Sequence, residues 1–276
     1  MLNIIVCLKQ VPMVTELPWD EKRGRLRRDL AAGMINPTCK HALEAALQIK
    51  EKIGADVTAL TMGPPGAEEV LREALAMGAN RGILISDKRL AGSDTFATSL
   101  VLATAIKKEC PRYDLILCGT YSSDSETAQV GPQLAEELDL PATAYAENLE
   151  IKNRTLRVRR LVDNFRETLE MKFPTLVTIS MERYLPRYTA LAGLEDSFGK
   201  GSISVYDAGA LGISDKTIER FSRTRVRKVY LRDARKENDV LTGTAASVVH
   251  EFLNKYENKI SAAIGKAIES EKASNE

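Results

Sequence analysis

Gly119-Thr120-Tyr121-Ser122-Ser123-Asp124-Ser125-Glu126-Thr127-Ala128-Gln129-Val130-Gly131-Pro132 joins the most strand-like run in the chain to a helix. The residues before it, Asp114-Leu115-Ile116-Leu117-Cys118, form the short apolar run of a strand buried on both faces in a parallel sheet. After it, Val130, Leu134, Ala135 and Leu138 recur at spacings of three and four, so they share one helical face. A long polar loop therefore leaves a strand's carboxyl end and feeds a helix N-terminus. In open α/β sheets ligands bind at that place, because free backbone N–H groups and the helix dipole favour an anion. The loop is expected to hold a nucleotide phosphate. Asp124 and Glu126 would repel a phosphate, which assigns them to ribose hydroxyls, solvent or a partner. Thr127, Ala128, Gln129 and Val130 are left to present hydroxyl and backbone N–H groups. A purely structural alternative is a capping box between Ser123 and Glu126.

The same strand, turn, helix unit recurs upstream. Asn3-Ile4-Ile5-Val6-Cys7-Leu8 reads as a buried strand ended by Lys9-Gln10-Val11-Pro12. Residues 13–35 are charged and irregular, an excursion around a hairpin. Asn36-Pro37-Thr38-Cys39 opens a helix, with Asn36 as cap and Pro37 in its first turn, and Gly54 ends it. Val57-Thr58-Ala59-Leu60-Thr61-Met62 is a second strand, followed by Gly63-Pro64-Pro65-Gly66 and a helix that buries Val70, Leu71, Ala74 and Leu75. Residues 82–85 form a third strand, and Gly92-Ser93-Asp94-Thr95-Phe96-Ala97-Thr98-Ser99 leads into a helix with Leu102, Ala103 and Ile106 inward. Four such units within the first half of the chain predict an α/β fold: a doubly wound, mostly parallel, Rossmann-like sheet with right-handed crossovers.

Beyond Pro141 the pattern alternates, with Leu149, Ile151, Leu156, Val158, Leu169, Met171 and Phe173 at period two, which predicts an antiparallel extension of the same domain. Residues 175–181 form a further apolar strand. Residues 182–212 read as an exposed recognition loop. The basic stretch 220–235 reads better as a solvated face than as an anion contact. From residue 241 the chain places Ala245, Val249, Phe252, Tyr256, Ile260, Ala263 and Ala267 in one narrow stripe on a long helix, which asks for another surface, its own body or another subunit. Two bodies are expected: a nucleotide-binding domain over 1–205, with the recognition loop near 184–200, and a C-terminal helical arm over 206–276 docking on a partner subunit.

Composition removes several function classes. The 276 residues hold 39 lysines and arginines against 38 acids, a balance that gives no argument for nucleic-acid binding. The four cysteines show no CxxC spacing, and two of them lie inside apolar runs, which fits a reduced intracellular protein. With two histidines and no paired Cys/His spacing, neither a protein-built metal site nor Ser-His or Cys-His catalysis is expected. Met1 leads straight into a strand, no apolar run reaches a membrane span, and a cytoplasmic location is expected. No GxSxG, GxxxxGK[ST] or GxGxxG motif appears. No catalytic residue is therefore assigned, and any redox chemistry must come from a bound cofactor. Five polar loops at successive strand ends converge on one rim: 7–9, 36–39, 62–66, 94–99 and 119–130.

Several of these stretches resemble a known family. Leu8-Lys9-Gln10-Val11-Pro12, Asn36-Pro37 before Ala42-Leu43-Glu44, Met62-Gly63-Pro64 with Glu73-Ala74-Leu75-Ala76-Met77-Gly78-Ala79, and Asp124 with Thr127-Ala128-Gln129-Val130-Gly131-Pro132 look like the beta subunit of electron-transfer flavoproteins over about residues 1–205. The resemblance implies a heterodimer with an alpha subunit that carries FAD, and a beta subunit that buries an adenine nucleotide. In most members that nucleotide is a structural AMP. In electron-bifurcating members it is a second FAD, which takes a hydride from NADH and sends electrons separately to a high-potential acceptor and to a low-potential one, ferredoxin or flavodoxin. The family's nucleotide contacts fall on Cys7, Asn36, Pro37, Thr38, Cys39, Met62 and the loop from Gly119 through Ser122, Asp124, Thr127 and Ala128 to Gln129 and Val130; Lys9 and Gly63 lie in the same rim loops.

Residues 92–99 resemble the bifurcating version, where Asp94, Thr95 and Thr98 lie near the flavin ring, so FAD is favoured over AMP. The alternative for Asp94 and Thr95 is that they cap the helix. Pro186-Arg187-Tyr188-Thr189-Ala190-Leu191 resembles the family's recognition loop, in which Leu191 matches the leucine that anchors in a pocket of an acyl-CoA dehydrogenase or similar flavin dehydrogenase, with Tyr188 beside it. Glu195-Asp196-Ser197-Phe198 replaces the lysine-rich run of some members, Met13 and Cys39 stand where aspartate is common, and the final helix outruns the family's usual tail. An ATP-using enzyme of a related fold is the reading from another class, and Lys9-Gln10-Val11-Pro12 lacks its Ser-Gly-Gly phosphate loop.

Overall fold

Strand β1 (Leu2–Leu8) alternates its side chains between two cores, with Ile4, Val6 and Leu8 packed on one face of the sheet and Ile5 and Cys7 on the other. The structure is a computed structural model that describes residues 1–13, 19–20, 25–26, 32–199, 202–215, 217–218, 224 and 240–273. After β1 come β2 (Gln10–Pro12), β3 (Trp19–Asp20), β4 (Arg25–Leu26) and β5 (Gly33–Ile35). They form two small antiparallel pairs, β2 with β5 and β3 with β4, so the expected excursion around a hairpin is present. The chain then alternates through α1 (Pro37–Ile53), β6 (Ala55–Met62), α2 (Glu68–Met77), β7 (Arg81–Ile85), α3 (Thr95–Glu109), β8 (Leu115–Gly119) and α4 (Val130–Glu137). It continues through β9 (Ala142–Lys152), β10 (Thr155–Val162), β11 (Phe165–Lys172), β12 (Thr175–Ile179), α5 (Leu191–Gly199), β13 (Ile203–Tyr206) and α6 (Ala245–Ala273).

One large sheet has the order β11-β10-β9-β12-β8-β1-β6-β7-β13. The strands from β9 through β12, β8, β1, β6 and β7 to β13 run parallel, and β9, β10 and β11 form the antiparallel extension. Helices cover both faces: α1 and α2 bury Leu43, Leu47 and Leu71 in one core, while α3 and α4 bury Val101, Ile106 and Leu134 in the other. Gly54 and Gly78 stop α1 and α2 at φ 77° and 127°, backbone that a residue with a Cβ resists. The free edge strand β11 carries Arg166, Glu167, Glu170 and Lys172, and ion pairs Arg160–Glu167 (2.7 Å) and Arg157–Glu170 (3.7 Å) tie it to β10.

The stretch 182–212, expected as loop, contains α5 and β13. Glycines at 193 and 199 and the absence of a capping pattern hide the helix. Here α5 lies on α2, where Gly193 lets the two backbones meet: a Cβ at 193 would collide with the carbonyl oxygen of Ala76. Strand β13 is a four-residue edge that pairs Ile203 with Gly82 and Tyr206 with Ile85. Residues 207–213 then bury Ala208, Leu211 and Ile213 in the α3 core.

Two compact units are present, Met1–Val229 and Tyr230–Glu276. In the second, α6 carries the expected stripe with Val249 and Phe252 exposed and the Phe252 and Tyr256 rings 5.1 Å apart; Ala263 and Ala267 lie outside the described side chains. Apart from Thr224, the basic stretch 220–235 lies outside the described residues. Among the described residues no helix is long and apolar enough to cross a membrane.

Candidate functional site

The strand order reverses beside β1: the chain moves from β1 outward to β6 and β7, then returns to the other flank of β1 with β8. At such a switch point the loops leaving the two central strands part, and a crevice opens over their carboxyl ends. Lys9 follows β1 there, and residues 120–129 follow β8. The expected rim loops at Lys9 and Gly119 thus lie side by side at the switch point.

The rim is built around Asn36, which is 1% exposed. Asn36 occupies the N-cap position of α1, yet its side chain makes no capping bond. Its amide spans instead to the β8 loop: Nδ2 donates to the carbonyl of Tyr121 (2.8 Å), and Oδ1 accepts from the backbone N–H of Ser123 (2.9 Å). The same Nδ2 reaches Thr38 Oγ1 at 2.9 Å and Cys39 Sγ at 3.3 Å, and Thr38 Oγ1 also donates to Tyr121 O. The expectation of a capping asparagine is corrected to an asparagine that pairs like a backbone strand with a loop 85 residues away. Gly119 permits this approach, because a Cβ there would sit 2.6 Å from the backbone nitrogen of Cys39 and closer still to Thr38 Oγ1.

Lys9 completes the brace. Its ammonium donates to Asp124 Oδ1 at 2.6 Å and to Ser122 Oγ at 3.1 Å, with Ser125 Oγ at 3.4 Å. Asp124, a repulsive charge for a phosphate when considered alone, is thereby neutralised by the rim itself. The Ser123–Glu126 capping box does not form, since Ser123 N–H is given to Asn36 and α4 begins only at Val130. Between them Glu126 (φ 50°) and Ala128 (φ 56°) take left-handed conformations, and Gln129 enters α4 right-handed with no side-chain cap. A left-handed residue followed by a right-handed one, as at Ala128 and Gln129, turns successive backbone N–H groups toward one side, where an anion is favoured, and the first turn of α4 has no side-chain cap over its N–H groups. The Thr127 hydroxyl and these N–H groups form a donor set that suits a phosphate, on a loop whose Ser122, Asp124 and Ser125 take up the Lys9 ammonium.

The neighbouring loop belongs to the same surface. Thr95 Oγ1 donates to Gln129 Oε1 at 2.9 Å, linking the start of α3 to the start of α4. Asp94 caps α3 in the ordinary way, Oδ1 accepting from Ala97 N–H at 2.9 Å, and its Oδ2 accepts from both the N–H and the hydroxyl of Thr224. Thr98 turns its hydroxyl back to the Asp94 carbonyl at 2.8 Å. At the end of β6, Met62 leans on the α3 core, and Gly63 N–H donates to Ile85 O in a turn with room for no Cβ beside Ala67. Pro37 starts α1, and the thiols of Cys7, Cys39 and Cys118 are free and buried. Burial pushes the Cys39 thiol up; a hydrogen bond with Cys7, together with burial, pushes Cys118 well up, so both stay protonated and neutral.

The family model described as "Electron transfer flavoprotein domain" matches residues 26–211. The chain belongs to this family, as a beta subunit. Among its relatives, "Electron transfer flavoprotein subunit beta" of Thermoanaerobacterium thermosaccharolyticum is 36% identical over 259 residues, 94% of this chain and 99% of the relative. "Caffeyl-CoA reductase-Etf complex subunit CarD" of Acetobacterium woodii is 38% identical, over 90% of this chain and 95% of its own length. "Acryloyl-CoA reductase electron transfer subunit gamma" of Anaerotignum propionicum is 41% identical, over 72% and 75% respectively.

This electron transfer flavoprotein beta subunit has a second exposed feature, remote in sequence from the rim. Tyr188 is 99% exposed and Leu191 82%, with Leu185 and Phe198 also open to solvent. Between them Arg187 is fixed. Its Nε donates to Glu44 Oε2 at 2.8 Å, Nη2 to Glu44 Oε1 at 3.0 Å, and Nη1 to Glu51 Oε1. Glu44 is 3% exposed; burial pushes its carboxyl up, but bonds from Arg187 and Gln48 outweigh that and hold it below the usual range. The roles of Asn36 and Arg187 as braces are not evident in the sequence, because their partners lie 85 and 143 residues away. The one local signal is Glu44 itself, a carboxylate inside Ala42-Leu43-Glu44-Ala45-Ala46-Leu47, a run otherwise wholly apolar.

Proposed function

We propose that this beta subunit seats FAD across its switch-point crevice and, paired with an alpha subunit that carries its own FAD, passes electrons between NADH and a CoA-linked flavin dehydrogenase, by bifurcation with ferredoxin or flavodoxin as low-potential acceptor. The observation that carries the reading is the Thr95–Gln129 bond: it joins the start of α3 to the loop before α4, so that a ligand seated on one loop reaches the other. The names of two relatives, a caffeyl-CoA reductase–Etf complex subunit and an acryloyl-CoA reductase electron transfer subunit, support a CoA-linked partner. The N–H groups of residues 127–130 would hold the pyrophosphate, on a loop that Lys9 braces through Asp124; Thr95 would orient the ring end. A bound flavin supplies hydride acceptance and stepwise electron release, while the chain's own residues bind and orient it. Tyr188 and Leu191 would meet the dehydrogenase, and the apolar stripe of α6 would dock on a partner subunit.

One observation favours a second reading, a structural AMP. Asp94 and Thr98 are satisfied by α3 and Thr224, so a mononucleotide would leave no polar group of theirs unpaired. Heat release of cofactors from the purified alpha–beta pair separates the two. Two FAD per pair are expected; one FAD with one AMP overturns the FAD assignment.

A further inference from the structure

The exposed side chains of Tyr188 and Leu191 gain little placement from their own packing. Tyr188 is almost wholly in solvent, and its direction is inherited from residue 187, whose backbone N–H donates to Glu44 Oε2 at 3.2 Å while its guanidinium forks onto the same carboxylate. A fork on a buried carboxylate fixes orientation in a way that an ammonium, a point charge, does not. Glu44 is itself held by Gln48 Nε2 at 3.0 Å, so the anchor cannot swing. Glu51, about two turns further along α1, takes the remaining arm of the guanidinium. The far end of the segment is fixed independently. Gly193 meets the Ala76 backbone, Arg72 Nη1 donates to Ser197 O, and the Arg72 guanidinium lies 5.2 Å from the centre of the Phe198 ring. A large apolar surface is thus presented outward from a frame clamped at both ends.

We propose that Arg187 is a positioning residue for partner docking: through Glu44 and Glu51 it locks the recognition segment to α1 and holds Tyr188 and Leu191 in the outward geometry that a flavin dehydrogenase with an apolar pocket reads. The proposal rests on the docking role given above to Tyr188 and Leu191 and adds the device that places them. Its physical content is preorganisation. A segment already ordered loses little conformational freedom on binding, so releasing the clamp lowers affinity without removing any contact with the partner.

The test uses the alpha–beta pair as the varied substrate of an acyl-CoA dehydrogenase that turns over with the wild-type pair. Replacing Arg187→Gln and Glu44→Gln together removes both charges without stranding either. This double variant is expected to raise KM for the pair about tenfold, to leave kcat within about twofold, and to keep the cofactor content. Arg187→Lys, which keeps the charge and loses the fork, is expected to fall between it and wild type. Leu191→Ala tests the docking reading separately: an unchanged KM there overturns that reading whatever Arg187 does. A raised KM for Leu191→Ala with a wild-type KM for the double variant overturns the positioning role alone. A double variant that only melts earlier, with KM unchanged, shows a merely structural clamp and equally overturns it.

Discussion

At the carboxyl rim Asn36 is nearly wholly buried and every polar atom of its amide is bonded to protein, whereas in residues 185–199 Tyr188 and Leu191 stand in solvent between fixed neighbours. Both surfaces are built on α1, which starts at the rim and carries Glu44 and Glu51. The difference matches the two roles proposed above. A small anionic ligand is held by a few donors whose positions must be set beforehand, which suits a loop fixed by buried side chains. A macromolecular partner is met by area, which suits exposed anchoring side chains over a fixed backbone.

The contrast breaks most sharply at Asn36. Asn36→Ala leaves the Tyr121 carbonyl without its amide donor and the Ser123 N–H unpaired, and is expected to cost about 3 kcal/mol in denaturant unfolding, together with faster nucleotide release from the pair. Unchanged release would show that the loop is held by its ligand and not by the brace. A smaller effect is expected at the other surface. Gly193→Ala pushes α5 off the Ala76 carbonyl at a cost of about 1–3 kcal/mol, confined to the segment: hydrogen exchange over 191–199 rises while that of 36–47 does not. Protection lost at both places would mean that the two surfaces are not separately held.

The smallest effect is a pH response of the segment. The Glu44 carboxyl is depressed on folding, so its contribution is complete above the unfolded-state value of about 4.3 and is lost as pH falls through its lower folded value. Glu51, also lowered chiefly by its bond from Arg187, moves the same way. Between neutrality and pH 5 the protection of the amides over 185–199, relative to the unstructured chain at the same pH, is therefore expected to be flat, falling only in more acid solution. A fall already near pH 6 would assign the clamp to a different group.

Legibility in the sequence tracks the range of the interaction. Strands β1, β6, β7, β8 and β12 are readable because burial on both faces turns them into continuous apolar runs, and β9–β11 because burial on one face makes them alternate. Asp94 is readable as a cap, since its acceptor role lies three residues ahead. Asn36 is misleading for the same reason: its local signature is a cap, and its real partners are in a distant loop. The Ser123–Glu126 pair fails likewise, because the left-handed residues 126 and 128 delay the helix to Val130. Helix α5 is hidden by the glycine that its packing on α2 requires, and β13 by being a four-residue edge strand.

The other edge of the sheet has a consequence of its own. Strand β11 leaves a row of backbone groups unpaired with any described strand, the arrangement by which sheets of separate molecules join and precipitate. Arg166, Glu167, Glu170 and Lys172 along it make such self-association costly, because a second copy would have to strip water from these charges to approach. A chain made to live in a heterodimer can in this way pass through the unassembled state, before it meets its partner, without sticking to itself.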